Sequence, residues 1–402
     1  MKIIFYNHTG QVSGAERLLL MILAGLDRKR FDPVMVCPED GPLTKLAAGL
    51  TPITSVASLQ ARFTWRIDHL VGYLRSFLIV IHRFRGTVVS TEPDLIHANS
   101  IRAGLVATAA TVGLKTRVVW HLHDLLPRHP LSSLIRAFAS LSSRTQMIAV
   151  SQAVADNFIG AFFPLKSRVK TILNGIDLEK FQSNQTARQL IRKEFQLDDA
   201  ELVIAIVGQL TPRKGQLELV RAFAQVLSKI PRATLLIVGA ALFNRDEEYC
   251  ALLKRTAQEL GIEERVRFTG ARSDVTAVMQ ALDLLTINSS AEPFGLVAVE
   301  AMACGTPVLA AASGGIPEII EHGKTGWLVP RCDEQTLAAA IVSLGCQPPL
   351  RRFLAEQGKN HVRSRFSAGR YLTELQAFYG PDEVRSLTGR LDIRHAEAAK
   401  VA

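Results

Sequence analysis

Short apolar runs alternate with longer amphipathic segments along almost the whole chain, and this alternation restricts the fold more than any other feature. The predicted strands of the N-terminal half are Ile3–Tyr6, Val34–Cys37, Leu95–His97, Val118–His121, Met147–Val150 and Val169–Leu173. Those of the C-terminal half are Leu202–Val207, Thr234–Val238, Val266–Thr269, Leu284–Ile287, Pro307–Ala310 and Gly326–Val329. Because these runs are almost continuously apolar, they predict parallel strands buried on both faces, with helices on both sides of each sheet. The fold class is therefore α/β, with doubly wound, Rossmann-like sheets.

A polar segment interrupts the alternation near the middle of the chain. Residues 182–200 contain no apolar strand, so we place the domain boundary there, with one domain over 1–183 and a second over 184–365. Each has a suitable length for one doubly wound domain. Residues 366–380 form a final helical segment that is a candidate to cross back to the first domain, and residues 381–402 have the composition of a polar tail.

The composition is that of a globular protein. Hydrophobic residues make up 48% of the 402 residues and charged residues 21%. The five cysteines are scattered, without a CxxC pair or metal-ligand spacing, which favours a reducing compartment. The sequence shows neither a signal-peptide pattern nor an apolar stretch of about 18 residues. We therefore expect a cytoplasmic protein, either soluble or held at the inner face of the membrane.

The positive charge is concentrated in the first half of the chain. Residues 1–183 carry 21 Lys and Arg against 12 Asp and Glu, a net charge of +9, whereas residues 184–402 carry 26 against 25, a net charge of +1. Within residues 62–85, arginines alternate with aromatic side chains. That pattern suits docking on an anionic membrane, and it equally suits a packed helix with a basic outer stripe. Basic residues do not cluster in a recognised nucleic-acid-binding module, so we expect no nucleic-acid partner.

An acidic motif follows a predicted strand of the C-terminal half. Glu292 and Glu300 bracket Phe294, Gly295 and Leu296, where the chain enters a helix. The first turn of a helix offers N–H groups and a dipole that favour anions, and Gly295 permits close approach of a ligand. Glu300 is suited to the paired hydroxyls of a ribose and Glu292 to a second polyol. A single glutamate there is explained by the helix dipole alone, but two that bracket the turn favour a binding site.

Further candidates follow other predicted strands. Lys214, in Gly208–Gly215, lies between a strand and a helix and can offset the charge of a leaving diphosphate. Gly14 lies in a strand-to-helix turn, which can contact phosphate or sugar. His123 follows a strand and can bond a sugar hydroxyl or orient an acceptor. His121 and His123 also have metal-ligand spacing without an evident third ligand, and a structural histidine remains an alternative.

Together these motifs resemble those of the retaining glycosyltransferases of family 4, over roughly residues 1–380. That family has the GT-B fold, in which two Rossmann-like domains face each other across a cleft that holds the active site. The resemblance implies that Glu300 holds the nucleotide ribose and Glu292 the hydroxyls of the donor sugar. It also implies that main-chain groups of residues 294–296 contact the donor.

The resemblance assigns the remaining candidates by position. Lys214 matches the diphosphate-binding lysine of the family. The arginine that is usual nearby is Gln209 in this chain, so one cation is missing there, and the neighbouring Arg213 is its candidate replacement. Gly14 matches the glycine-rich loop, although Ser13 stands where a second glycine is common. His123 matches a histidine near the donor sugar.

These assignments predict a retaining hexosyltransferase with His123, Lys214 and Glu292 as catalytic residues. It would move a sugar from a nucleotide-diphosphate sugar to a glycan or lipid-linked acceptor, in polysaccharide or glycolipid synthesis. The resemblance implies no cofactor and no obligatory metal, and the sequence has no Asp-x-Asp cluster. Two other functions remain open: a GT-B-fold nucleotide-sugar epimerase, and a non-catalytic sugar-nucleotide-binding partner subunit, which only Gln209 supports.

Overall fold

The structure, a computed structural model, describes residues 1–59, 67–241, 246–330 and 333–380. These residues form two compact units. One consists of Met1–Gly175 and the described residues from Ala368 onward, and the other of Ile176–Ser367.

The first unit is built on a parallel sheet. Its seven described strands are β1 (Lys2–Tyr6), β2 (Asp32–Cys37), β3 (Ile53–Ser55), β4 (Leu95–Ala98), β5 (Arg117–Leu122), β6 (Thr145–Ala149) and β7 (Val169–Thr171). The helices described between them are α1 (Gly14–Gly25), α2 (Pro42–Ala47), α3 (Ile67–Thr91), α4 (Ile101–Ala110), α5 (Pro130–Ser140) and α6 (Gln152–Ile159). The strand order β3-β2-β1-β4-β5-β6-β7 switches direction between β1 and β4. In doubly wound sheets the connections diverge at such a point and leave a crevice at the carboxyl ends of the strands.

The second unit repeats this plan. Its six described strands are β8 (Leu202–Val207), β9 (Ala233–Val238), β10 (Val266–Gly270), β11 (Leu284–Ile287), β12 (Val308–Ala311) and β13 (Trp327–Val329). Its described helices are α7 (Gln185–Glu194), α8 (Gln216–Leu227), α9 (Glu247–Glu259), α10 (Val275–Ala281), α11 (Leu296–Cys304), α12 (Ile316–Ile319), α13 (Glu334–Gly345) and α14 (Pro348–Arg365). The parallel strands have the order β10-β9-β8-β11-β12-β13, so the switch point lies between β8 and β11.

A last described helix, α15 (Ala368–Tyr379), belongs to the first unit. Its Tyr371, Leu375, Phe378 and Tyr379 are buried in the same apolar cluster as Phe5 of β1. The Tyr379 hydroxyl lies 2.8 Å from His97 Nδ1, on β4. This helix therefore completes the core of a unit whose other described residues end at Gly175.

The boundaries between the two units differ from the predicted ones, which were 183/184 and 365/366. The division falls at Gly175/Ile176 and at Ser367/Ala368. Residues 176–183 join the second unit because the Ile176 N–H donates to the Phe366 carbonyl (2.8 Å) and the Ser183 hydroxyl donates to the Cys304 carbonyl (2.8 Å). The polar composition of 182–200 belongs to this loop and to the amphipathic α7, which lie within the second unit.

Helix α3 presents apolar and basic side chains together on its exposed side. Phe84 and Val88 are buried, whereas Leu78 is 65% exposed and Arg83 is exposed. Within the part of the chain that the structure describes, no helix is long and apolar enough to cross a membrane.

Candidate active site

Two of the predicted catalytic residues meet at the switch point of the second sheet. Strand β8 leads into the turn that ends at Lys214, and its neighbour β11 leads into the loop that carries Glu292. Lys214 Nζ lies 2.7 Å from Glu292 Oε2, and their side chains are 18% and 12% exposed. Partial burial weakens the screening of this pair by water. The sheet topology thus places a cation and a carboxylate, 78 residues apart in sequence, in direct contact.

Close main-chain packing holds the Glu292 loop in place. Gly314 has a φ of +55°, and a Cβ there would lie 1.9 Å from the Glu292 carbonyl oxygen. The next N–H, that of Gly315, donates to this carbonyl at 2.9 Å. Only glycine fits such an approach, because any larger residue would have to displace the loop. The Gly-Gly turn after β12 therefore fixes the position of Glu292.

Ser289 is a site residue that the sequence analysis did not single out. Its hydroxyl donates to Glu292 Oε2 at 2.8 Å, and its carbonyl accepts from the Ser313 hydroxyl at 2.6 Å. It lies two residues after the end of β11, so its position after a strand could have identified it as a candidate from the sequence. Together with Lys214, Ser289 orients the Glu292 carboxylate through two hydrogen bonds to one oxygen.

Arg213 reaches the same loop. Its guanidinium donates to the Ala291 carbonyl at 2.6 Å, and its own carbonyl accepts from the Ser290 N–H at 3.0 Å. The side chain is exposed. Gln209 is half-buried, and its carbonyl accepts from the Gln216 side chain at 2.9 Å. The missing arginine thus leaves a neutral side chain at 209, and Arg213 brings a second cation to the residue before Glu292.

The start of α11 adjoins this pair. Gly295 precedes the helix with a φ of +108°, and Leu296 is its first residue. Phe294 is 3% exposed and its ring centroid lies 6.1 Å from that of Phe366, so its side chain packs within the unit. Glu300 is half-buried further along the helix. Burial, with a smaller contribution from the charge of Glu300, raises the pKa of the Cys304 thiol to about 12.

The space between these residues is small. A cavity of about 20 Å³, enough for roughly one water molecule, is lined by Lys214, Ser289, Glu292 and Gly295, among others. A groove of about 1090 Å³ between α8, α9 and α13 is lined by different residues, including the exposed Arg221–Glu334 ion pair. Size alone would select that groove, but the candidate chemistry lies at the switch point.

The other two candidates lie at the carboxyl edge of the first sheet. Gly14 is the exposed first residue of α1, directly after Ser13. His123 directly follows β5, and its Nε2 lies 3.0 Å from Asn99 Oδ1. Burial lowers the pKa of His123 to about 3, so its imidazole is neutral at physiological pH.

His121 and His97 extend this imidazole group into the core. Both are fully buried, with His121 Nδ1 3.3 Å from His97 Nε2. The ring centroids of His121 and His123 are 3.9 Å apart. Among the residues that the structure describes, no group of three or more His, Cys, Asp or Glu side chains has a metal-binding arrangement.

Comparison with known proteins identifies the family. Residues 12–180 match the model of Glycosyltransferase Family 4, and residues 187–361 match that of the glycosyl transferases group 1. A D-inositol 3-phosphate glycosyltransferase from Actinosynnema mirum is 35% identical over 334 residues, which cover 78% of each chain. The chain belongs to glycosyltransferase family 4.

Other relatives of this family 4 glycosyltransferase agree. The N-acetyl-alpha-D-glucosaminyl L-malate synthase of Bacillus anthracis is 30% identical over 294 residues, or 71% of this chain and 74% of the relative. The crystal structure of Anabaena HepE with UDP and glucose is 30% identical and covers 94% of this chain and 99% of its own, with a TM-score of 0.80. The predicted fold class, α/β of the GT-B type with two Rossmann-like domains, is confirmed.

Some of the candidate site residues of this glycosyltransferase lie close together, and the others lie elsewhere in the two units. Lys214 and Glu292 are in contact, and Arg213 and Gly295 adjoin them in the second unit. Glu300 lies on α11 near Cys304, and Gln209 lies on the turn after β8. The first unit holds Gly14 and His123. The substrate and catalytic roles of these residues stay predictions.

Proposed function

We propose that this glycosyltransferase is a retaining hexosyltransferase that uses a nucleoside-diphosphate sugar and a glycan or lipid-linked acceptor, in polysaccharide or glycolipid synthesis. The 2.7 Å contact between Lys214 Nζ and Glu292 Oε2 carries the proposal. The Lys214 ammonium beside the Glu292 carboxylate suits a ligand whose diphosphate is bonded directly to a sugar. HepE, which is similar over 94% of this chain, was crystallised with UDP-glucose, so UDP-glucose is the first donor to test.

The reaction breaks the bond between the anomeric carbon and a diphosphate oxygen. The sugar gains oxocarbenium character, and the electron pair stays with the diphosphate. Lys214, Arg213 and the N–H groups at the start of α11 would stabilise the negative charge that develops there. Glu292 would hold sugar hydroxyls and so fix the anomeric carbon relative to the phosphate. With retention, the acceptor hydroxyl enters on the face that the diphosphate leaves and gives its proton to the departing oxygen.

Donor binding requires the Lys214–Glu292 pair to change partners. Oε2 of Glu292 already accepts hydrogen bonds from Lys214 and Ser289, and the cavity beside them holds about 20 Å³. A diphosphate oxygen would replace Glu292 as the partner of Lys214, and a sugar hydroxyl would replace Lys214 as a hydrogen-bond donor to the Glu292 carboxylate. In this exchange Lys214 would keep a negatively charged partner, and the Glu292 carboxylate would keep hydrogen bonds from Ser289 and from the sugar, which limits the cost of burying the two groups.

Thermal shift and turnover with UDP-glucose test the proposal. We expect UDP and UDP-glucose to raise the melting temperature, because a ligand that binds only the folded state stabilises it by mass action, by about 2.7 kcal/mol at 100 times Kd. The K214A variant should lose the shift with both ligands and the release of UDP. The E292Q variant should lose the release of UDP and the extra shift with UDP-glucose, but keep the shift with UDP, because Glu292 holds the sugar. The exposed pair Lys324–Glu321, 2.8 Å apart, supplies matched controls in K324A and E321Q, which should behave as wild type.

The same assay separates the alternatives. An epimerase would convert a nucleoside-diphosphate sugar to its epimer without an acceptor, and a non-catalytic subunit would bind UDP-glucose without releasing UDP or transferring glucose. A shift that K214A retains in full would refute the proposed donor site. If no nucleoside diphosphate of any base shifts the melting temperature, the proposal of a nucleotide-sugar donor fails.

We further propose that α3 contacts an anionic membrane that carries the acceptor. Its exposed Leu74, Leu78 and Ile79 lie among the exposed Arg75 and Arg83, a combination that suits the headgroup boundary. The arginines and aromatic residues at 62–66 in the predicted docking segment lie outside the described residues. Phosphatidylglycerol vesicles should bind the protein at low salt and release it at high salt, and the double variant R75Q/R83Q should bind less. Binding that is absent at every salt concentration would refute this contact.

A further inference from the structure

Three polar residues form a row at the carboxyl edge of the first sheet. Asn7 directly follows β1, Asn99 follows β4 and His123 follows β5, and these strands are neighbours in the sheet. His123 Nε2 lies 3.0 Å from Asn99 Oδ1, and Asn99 Nδ2 donates to Asn7 Oδ1 at 3.1 Å. Asn7 Nδ2 in turn donates to Glu16 Oε1 of α1 at 3.3 Å. Asn7, Asn99 and Glu16 are each at most 5% exposed.

Groups that can only accept hydrogen bonds determine which atoms donate and which accept along this row. A carboxylate and a main-chain carbonyl have no donor. Asn7 must therefore turn its NH₂ group towards Glu16 and towards the Thr9 carbonyl, which lies 2.7 Å away. Asn7 Oδ1 is then an acceptor, so Asn99 must present its NH₂ group to it, and the Ala15 carbonyl at 3.5 Å favours the same orientation. The oxygen of Asn99 consequently faces His123.

The orientation of Asn99 decides which nitrogen of His123 carries hydrogen. Nε2 must donate, because a neutral imidazole whose Nε2 lacked hydrogen would place a lone pair against Asn99 Oδ1. In a neutral ring Nδ1 is then the acceptor. The far end of the row is anchored at the start of α1, where the Ser13 N–H and hydroxyl donate to Glu16 Oε2 at 2.9 Å and 2.6 Å.

We propose that Asn99, oriented by Asn7 and Glu16, is a positioning residue that holds His123 in the Nε2–H tautomer, so that Nδ1 accepts a hydroxyl hydrogen of the substrate. This inference rests on the proposed function, since the hydroxyl belongs to the donor sugar or to the acceptor. It also gives Glu16 a role besides capping α1: the same carboxylate that orders the Gly14 turn orients the row that ends at His123.

Burial is the cause of the low pKa of His123, and several other titratable groups lie around it. His121 contacts it from β5, His97 lies behind on β4, and Asp124 follows it in the chain. Burial, with a smaller contribution from the nearby Arg102 of α4, lowers the pKa of His8, after β1, to about 4. Glu16 is separated from His123 by two amides. Replacing Asn99 by Asp would bring a carboxylate to the imidazole itself, where it favours the charged form.

The test measures the protonation of His123 and the turnover of the full-length protein. In ¹⁵N spectra of histidine-labelled protein, with His123 assigned by H123Q, the wild type should carry hydrogen on Nε2 and not on Nδ1. N99A should populate the other tautomer and lower kcat for UDP release from UDP-glucose at least tenfold. N99D should keep Nε2–H, raise the pH at which the ring titrates and move the acid limb of the rate profile to higher pH. N157A, which removes the amide that bonds the main chain of Leu126, is the matched control and should change none of these.

The outcomes distinguish this inference from the proposed function. Hydrogen on Nδ1 in the wild type, or N99A with wild-type spectra and rates, would overturn the role of Asn99 while turnover by the wild type upholds the enzyme. If the wild type releases no UDP from any donor, the function fails, and the spectra alone still decide the tautomer. Should N99A not fold, the wild-type spectrum and N99D, which keeps the volume of the side chain, decide the inference. A raised KM for UDP-glucose in N99A would assign the hydroxyl to the donor sugar.

Discussion

Moderate acid should destabilise the first unit, because its core holds histidines that stay neutral in the folded protein and become protonated only on unfolding. His97 and His121 are fully buried, and burial lowers the pKa of His97 to about 3 and that of His121 well below 6.5. Since both folded values lie below the unfolded value of about 6.5, stability is complete above that pH and falls as the pH approaches the folded pKa. Burial also lowers the pKa of His123 to about 3 and that of His8 to about 4, so the same penalty applies to them. At pH 5.5 each of the four histidines costs about 1.4 kcal/mol, so we expect a loss of roughly 6 kcal/mol for the unit.

Urea unfolding at pH 7.5, 6.5 and 5.5 measures this loss. Trp120 of β5 is fully buried, and in a W65F/W327F background it is the only one of the three tryptophans that remains, so its fluorescence reports the first unit. H121Q should reduce the decrease in unfolding free energy by about 1.4 kcal/mol, whereas H82Q, at an exposed position of α3, should leave it unchanged. An unfolding free energy that is equal or higher at pH 5.5 would show that these histidines are not buried in neutral form.

Three further substitutions test contacts of the two units. G314A should lower the melting temperature of the second unit and abolish its stabilisation by UDP, because a Cβ would lie 1.9 Å from the Glu292 carbonyl oxygen; a wild-type melting curve would contradict the described loop. Y379F should cost about 1–3 kcal/mol in urea unfolding, since it removes the buried partner of His97 Nδ1. S289A should weaken UDP-glucose binding several-fold in titration calorimetry, and unchanged affinity would refute its role in orienting Glu292.

The sequence predicted most of the secondary structure but not how distant parts of the chain combine. Leu202–Val207 was recognised as a strand and forms β8, because a run buried on both faces is apolar throughout. Strand β3 was missed: it has three residues, and its Thr54 and Ser55 are exposed at the sheet edge. The division at Gly175/Ile176 was also missed, because hydrogen bonds to residues far along the chain, and not local polarity, assign residues 176–183 to the second unit.

The candidate site was predictable where a single residue type at a strand end suggested its chemistry. Lys214 and Glu292 were identified on that basis and are in contact. Ser289, Asn99 and Asn7 were overlooked because a serine or an asparagine after a strand is common in loops. Their significance depends on which strands are neighbours, and local patterns do not give the order β1-β4-β5.

The position of helix α15 in the sequence determines which of the two units can finish folding first during translation. Its Tyr371, Phe378 and Tyr379 fill part of the first unit's core, yet the ribosome makes them only after the whole of Ile176–Ser367. During translation the second unit, which is continuous in sequence, can fold as soon as it emerges. The first unit cannot complete its core until α15 has been made, and it exposes apolar side chains until then. A gene fragment that encodes residues 1–175 alone would therefore yield an aggregation-prone product, and one that encodes 176–367 would yield a soluble domain.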